Sequence, residues 1–413
     1  MGEQMENVKQ KLLSFWNEIK YEACIFLYLF VRLIWNCPLN FISYISTSYS
    51  LNYSYGFIRR GLIGSIFDFV FDGDISFINA HTFVLTFCFV LITLISILFG
   101  KIIRSFEEPT KRKQIIFLVC TYLIMPFCVF YLFSRHNYGR QDLYLYIITI
   151  LQILLVFKKP TLIKYLAVGV LSFICILIHE AYAFFVFPIL FAILVYQIYK
   201  NNFDKKLLIG FGIILSIIGI STIYFNFFSS INVETCNELI SALHSNTDLR
   251  IEESAIQFGY YDHTVADHVQ EYVGEEWLQN FIGTIILLII FLPINIFVYK
   301  IFKEYLTKRN KLQRNGIYLL LAVLIVFIPL FVVAVDWGRW FSGVYTYLFT
   351  LIVLMLYENQ ESGFEIINKL ENFCKQNSLI TIGIVLIFMA LGPFRHIGIW
   401  EFTHVITALI ENA

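Results

Sequence analysis

Apolar runs of about 20 residues recur along the whole chain, each closed by a short polar or basic stretch, and at 1.5 Å of rise per residue such a run crosses a hydrocarbon core of about 30 Å. The pattern predicts spans near 22–43, 78–99, 115–133, 141–157, 162–178, 181–199, 207–228, 279–299, 316–335, 338–357 and 378–393. That is a predicted count of eleven. The joints at His179-Glu180 and at Asp336-Trp337-Gly338 are so short that either pair also reads as one bent helix re-entering the same face. The predicted fold class is all-α, a polytopic integral membrane protein with a single transmembrane domain over 1–413 and one longer loop, 229–278.

Composition agrees. Of 413 residues 58% are hydrophobic, and the mean hydropathy of +0.72 lies far outside the range of a water-soluble domain. The formal net charge is zero, so nothing draws the chain as a whole toward nucleic acid. The eight cysteines form no CxxC and no zinc-spaced set; only Cys37 and Cys236 fall where an extracytoplasmic disulfide could join them. The mixed-charge N-terminus reads as a retained cytoplasmic segment.

Charge placement says more than charge total. With a cytoplasmic N-terminus, the basic loops 100–114, 158–164, 200–206, 300–314 and 358–377 fall on that side, as the positive-inside rule requires. All 18 lysines then lie inside, with Arg104, Arg112, Arg309 and Arg314. The outer side keeps Arg59, Arg60, Arg135, Arg140, Arg250, Arg339 and Arg395, and Arg32 sits in the first span. An excess of arginine against the usual trend points to a task, because the guanidinium fork binds phosphate in a bidentate way that lysine cannot.

Four short motifs carry that task. In Tyr55–Gly64 and on to Phe69, Ile58, Leu62, Ile66 and Phe69 recur at helical spacing, which predicts an interfacial helix with Arg59 and Arg60 at its start; the pair suits phosphate oxygens or, alternatively, anchors the helix to lipid headgroups. Ser134–Asp142 holds Arg135 and Arg140 beside a helix N-terminus, an anion site unless Asp142 merely steadies the first turn. His179-Glu180 is an ionisable pair within forty nearly unbroken residues, where each charge at bilayer depth costs roughly 2.5–3.5 kcal/mol, so it is a candidate base or else a mutual cap. The stretch HEAYA lacks the second histidine of HExxH, which removes the zincin reading. Asp336-Trp337-Gly338-Arg339-Trp340 reads as a capped helix start or as a phosphate ligand, Arg339, flanked by tryptophan platforms for a sugar face, Trp337 and Trp340.

The long loop is acidic and predicts one or two helices over the membrane mouth, read as a solvated helix face or, alternatively, as one from which Arg250, Glu252 or His263 reaches substrate. Its Tyr260–His268 segment does not encode a metal site, since His263 and His268 stand about 140° apart on a helix. Arg395, His396 and His404 read as an interfacial tail.

With several arginines at one face and 18% aromatic residues, the chain resembles the polytopic glycan enzymes that act outside the bacterial cytoplasmic membrane on undecaprenyl-linked sugars. In overall form it is most similar to the Wzy-type repeat-unit polymerases of O-antigen and capsule assembly, and next to GT-C-like glycosyltransferases fed by polyprenyl-phosphate sugars. Some polymerases carry an arginine followed eleven positions later by glycine, and none of the outer arginines here does; the transferases place an acidic residue in the first outer loop, where Asp68, Asp72 and Asp74 follow the arginine pair.

The resemblance implies a metal-independent and cofactor-free transferase at the outer face of the cytoplasmic membrane. Its substrate would be an undecaprenyl-pyrophosphate-linked oligosaccharide, and its partners membrane lipids and a chain-length regulator protein, with no nucleic acid. Arg59, Arg60, Arg135, Arg140, Arg339 and Arg250 would hold the pyrophosphate, and Glu180, His179 or Asp336 would orient or deprotonate the attacking hydroxyl. A lipid or glycan transporter is the third reading, disfavoured by the scarcity of ionisable residues away from the span ends.

Overall fold

Proline and the polar joints decide where the helices stop. The computed structural model describes residues 2–391 apart from 39–40, 135–136, 158, 230–232, 247–251, 254–255, 257–274, 309, 334–335 and 359–361. Every regular element among the described residues is helical. Helix α1 (Gly2–Asn36) ends just ahead of Cys37-Pro38, because the residue before a proline is pushed out of helical geometry. The run expected at 22–43 is therefore divided, and α2 (Ser43–Ser50) is a separate short helix. After a 3-10 turn at Tyr53–Tyr55 come α3 (Gly61–Phe71) and the long α4 (Phe77–Arg104), capped by the Ser76 side chain.

The run expected at 115–133 is also not one helix. Helix α5 (Pro109–Ile124) stops at Met125, which is extended because Pro126 follows, and a 3-10 turn (Val129–Phe133) leads into the polar bend. Helices α6 (Asp142–Val156), α7 (Leu162–Ile178), the single turn α8 (Tyr182–Phe185), α9 (Phe187–Lys200) and α10 (Lys205–Phe227) follow. Beyond α11 (Val233–Asn246), α12 (Glu275–Ile290) and α13 (Leu292–Thr307) meet at a 70° bend. Phe291 breaks them, and Pro293 opens the second. Helices α14 (Lys311–Ala322) and α15 (Ile328–Val333) flank a 3-10 stretch; α16 (Trp337–Glu358) is long; α17 (Ser362–Gln376) and α18 (Ser378–Leu391) meet at 102°.

By length and composition, four helical stretches among the described residues can cross a membrane alone, or up to six if each bent pair is one span. Four further apolar helices are shorter, among them α6 at 15 residues, about 22 Å long. The protein is a multi-pass α-helical membrane protein whose apolar runs are carried partly by short and broken helices.

Two ends of the bundle can be told apart. At one, α4, α6, α9 and α16 all finish: Gln197 donates to the Phe157 carbonyl at 3.2 Å, Ser105 meets Tyr357, and Arg104 pairs with Glu22 of α1. At the other, α6 and α16 begin and α7 ends, and the four chemical motifs gather. Side chains such as Phe69, Ile220, Phe227 and Leu379 point outward largely uncovered, which lipid tolerates and water does not. Cys37 and Cys236 are both free thiols.

Candidate functional site

The site is assembled from three helix starts and one helix end. Arg60 is the residue just before α3 and holds a left-handed backbone (φ 61°, ψ 11°), a conformation that costs a non-glycine residue roughly 1–2 kcal/mol and persists only where the surroundings enforce it. The enforcement is visible: Gln141 Nε2 donates to the Arg60 carbonyl at 3.3 Å. One turn into α3, a Cβ on Gly64 would stand 2.0 Å from the Leu51 carbonyl oxygen, so only glycine lets α3 lie against the segment that follows α2.

So placed, the Arg60 guanidinium grips Glu180. Its Nε donates to both carboxylate oxygens at 3.1 Å, its Nη2 closes a third contact, and its Nη1 reaches the Tyr44 hydroxyl of α2 at 3.2 Å. Glu180 lies in the turn between α7 and α8. Burial alone would push its carboxyl up, but Arg60 holds it well below the ordinary carboxylate range. His179, the C-cap of α7, accepts from the Ala181 N–H at Nδ1 (3.2 Å). Burial and Arg60 lower its proton affinity. It is therefore neutral, and its Nδ1, 3.3 Å from Glu180, is an acceptor facing an acceptor rather than half of an ion pair.

The second half joins α6 to α16. Arg339 donates from Nε and Nη2 to the two oxygens of Asp142, each at 2.9 Å, a fork-to-fork pair in which Asp142 is fully buried. The Tyr131 hydroxyl donates to the same carboxylate at 2.9 Å. Arg339 Nη1 also donates to Asp336 at 2.7 Å, and Arg140 Nη1 donates to the same Asp336 oxygen at 2.8 Å. Asp336 thus bridges two guanidiniums. The Arg140 guanidinium lies 5.7 Å from the centre of the Tyr44 ring, which brings both halves together.

Between them is a cavity of about 40 Å³ lined by Tyr44, Arg60, Arg140, Asp142, His179 and Arg339 among others. That is room for water, given a share of about 30 Å³ per molecule in the liquid. The described part of the long loop rests on its rim: Ser43 donates to Glu252 at 3.0 Å, the Glu252 N–H donates to Thr47 at 2.9 Å, and Ile256 and Leu239 pack with Leu51 and Ile58.

The structure thus brings together Arg60, Arg140, Arg339, Glu180, His179 and Asp336. Arg59 is half-buried beside Arg60 and does not line this cavity. Trp337 and Trp340 are buried, Trp337 against Trp277 and Phe331, Trp340 against Phe185 with the Arg339 guanidinium 4.5 Å from its ring. Arg135, Arg250, Tyr260–His268, Arg395, His396 and His404 lie outside the described residues. Sequence reasoning passed over Asp142, Tyr44 and Tyr131 as site residues. Asp142 alone left a signal, an acid in the first turn of a helix beside arginines; nothing in the sequence marks the two tyrosines among 25.

A helical, multi-pass bundle with a polar cluster at one end defines a class, integral membrane proteins. Within that class the chain belongs to the family described as "Uncharacterised membrane protein Rv1490", which it matches over residues 19–239. The matched stretch holds Tyr44, Arg60, Arg140, Asp142, His179 and Glu180, while Asp336 and Arg339 come from beyond it. No curated protein and no solved structure matches the chain.

Proposed function

We propose that this protein is a membrane glycosyltransferase that acts on polyprenyl-linked sugars, with polymerisation of undecaprenyl-pyrophosphate-linked repeat units as the specific reaction. The observation that carries the proposal is the convergence of Arg60, Arg140 and Arg339, from three distant parts of the chain, around one cavity that His179 also lines, with Glu180 behind it on Arg60. Three guanidiniums face three carboxylates there, so an arriving diphosphate enters by exchange. Asp336, whose side chain is 15% exposed, is the partner a phosphate oxygen would replace, whereas Asp142, with none of its side chain exposed, stays as the anchor of Arg339. The cavity has to widen for this.

In the proposed step a sugar hydroxyl of one lipid-linked unit attacks the anomeric carbon of the other. The new C–O bond forms as the bond to the pyrophosphate breaks, the hydroxyl proton passes to Glu180 or to neutral His179, and the arginines take up the charge developing on the departing pyrophosphate. The same geometry serves a single-sugar transfer from a polyprenyl phosphate, which a glycan gel separates from polymerisation. Deleting the gene should abolish long surface glycan chains while one repeat unit remains; loss of that unit as well indicates the earlier transfer, and an unchanged glycan overturns both. Complementation with Arg339→Lys, which cannot hold Asp142 and a phosphate oxygen with one planar fork, should fail although the variant reaches the membrane.

A further inference from the structure

A second cavity lies inside the bundle, nearer its other end. It occupies about 170 Å³ between α4, α5, α6, α9 and α16, with walls that include Ile95, Phe99, Ile150, Ile153, Ile193 and Val353. Tyr146, one turn of α6 below Asp142, belongs to its inner end and is buried, as is Thr149. Their hydroxyls lie near Ser342, Thr346 and Tyr182 but make no well-formed hydrogen bond. The opposite end reaches the surface at Phe157, Lys200 and Tyr357, where Lys200 is exposed. From Tyr146 to Phe157 the cavity follows α6 for about 16 Å at 1.5 Å per residue, close to half of a hydrocarbon core of about 30 Å.

We propose that this cavity holds one acyl chain of an anionic membrane phospholipid, whose headgroup sits at Lys200. An apolar space of about 150 Å³ is enough to stay dry and to admit an apolar guest, and left empty it forfeits packing on every side. Its length fits a chain from a single leaflet. Its mouth lies at the end where the lysines gather, and Lys200 itself makes no ion pair among the described residues. The charge at the opening therefore selects an anionic over a zwitterionic head. This site is separate from the arginine cluster, with the Tyr131 and Tyr146 rings between them, and does not depend on the glycosyltransferase reading.

The test is native mass spectrometry of the full-length protein released from vesicles of equal phosphatidylglycerol and phosphatidylcholine. One phosphatidylglycerol adduct should survive on the wild type. Lys200→Glu, a surface change that leaves the fold alone, should lower its occupancy by about fivefold or more. Val353→Phe, which extends a ring into the cavity, should remove adducts of either lipid. Absence of any adduct, equal retention of the two lipids, a phosphate-sized adduct alone, or indifference to Lys200→Glu overturns the proposal.

Discussion

At the residue scale, the buried carboxylates of the cluster keep their charge because guanidiniums, which are charged in any setting, stand beside them. Glu180 is the clearest case. Burial favours its neutral form and Arg60 reverses that preference, so the carboxylate is ionised at neutral pH. Because its folded-state value is depressed, the stability it contributes is fully present above the unfolded-state value of about 4.3 and is lost as pH falls through the lower folded value. Replacing Arg60 with Met leaves burial unopposed, and the sign inverts. Difference infrared spectra at pH 7 should then show a protonated carboxyl band that the wild type lacks and that Arg60→Met/Glu180→Gln loses again. A spectrum of Arg60→Met identical to wild type would mean that another cation holds the site.

At the scale of elements, the joints matter more than the spans. The motif residues sit where helices break: Arg60 before α3, Asp142 at the start of α6, His179 and Glu180 between α7 and α8, Asp336 and Arg339 at the start of α16. The helices that hold these joints pack through small residues. On α10, a Cβ at Gly210 would stand 2.7 Å from the Cβ of Tyr165 on α7, close to the backbone and unable to swing aside, whereas a Cβ at Gly212 or Gly219 meets nothing within 4 Å. Gly210→Ala should therefore destabilise by about 1–3 kcal/mol, while Gly212→Ala should be neutral or stabilising by up to about 1 kcal/mol through helix propensity alone. Thermal unfolding of the detergent-solubilised protein distinguishes the two, and equal effects would contradict the close α7–α10 approach.

At the scale of the whole molecule, the arginine cluster and the lysine-rich ends occupy opposite ends of the bundle, and the proposed outer position of the cluster follows if the positive-inside rule holds for this chain. In a cysteine-free background, Arg59→Cys should react with a membrane-impermeant thiol reagent in intact cells, and Lys369→Cys only after lysis. Labelling of both from the same side would remove the basis for placing the cluster outside.

Hydropathy alone determined that the chain is a helical, multi-pass membrane protein, since a run of apolar residues must satisfy its own backbone in lipid whatever its neighbours do. It also marked the arginine-bearing joints, because ionisable residues stand out against so apolar a background. Expected spans broke at Pro38 and Pro126, where a local rule about proline outweighed the hydropathy of the run, and the one expected at 279–299 bends by 70° at Phe291, ahead of Pro293. Which charges meet could not be read from the chain: Arg60 and Glu180 are 120 positions apart, and Asp142 and Arg339 are 197 apart. Only the packing of α3, α6, α7 and α16 decides that each guanidinium faces a carboxylate, because a buried charge takes whatever partner the fold brings within reach.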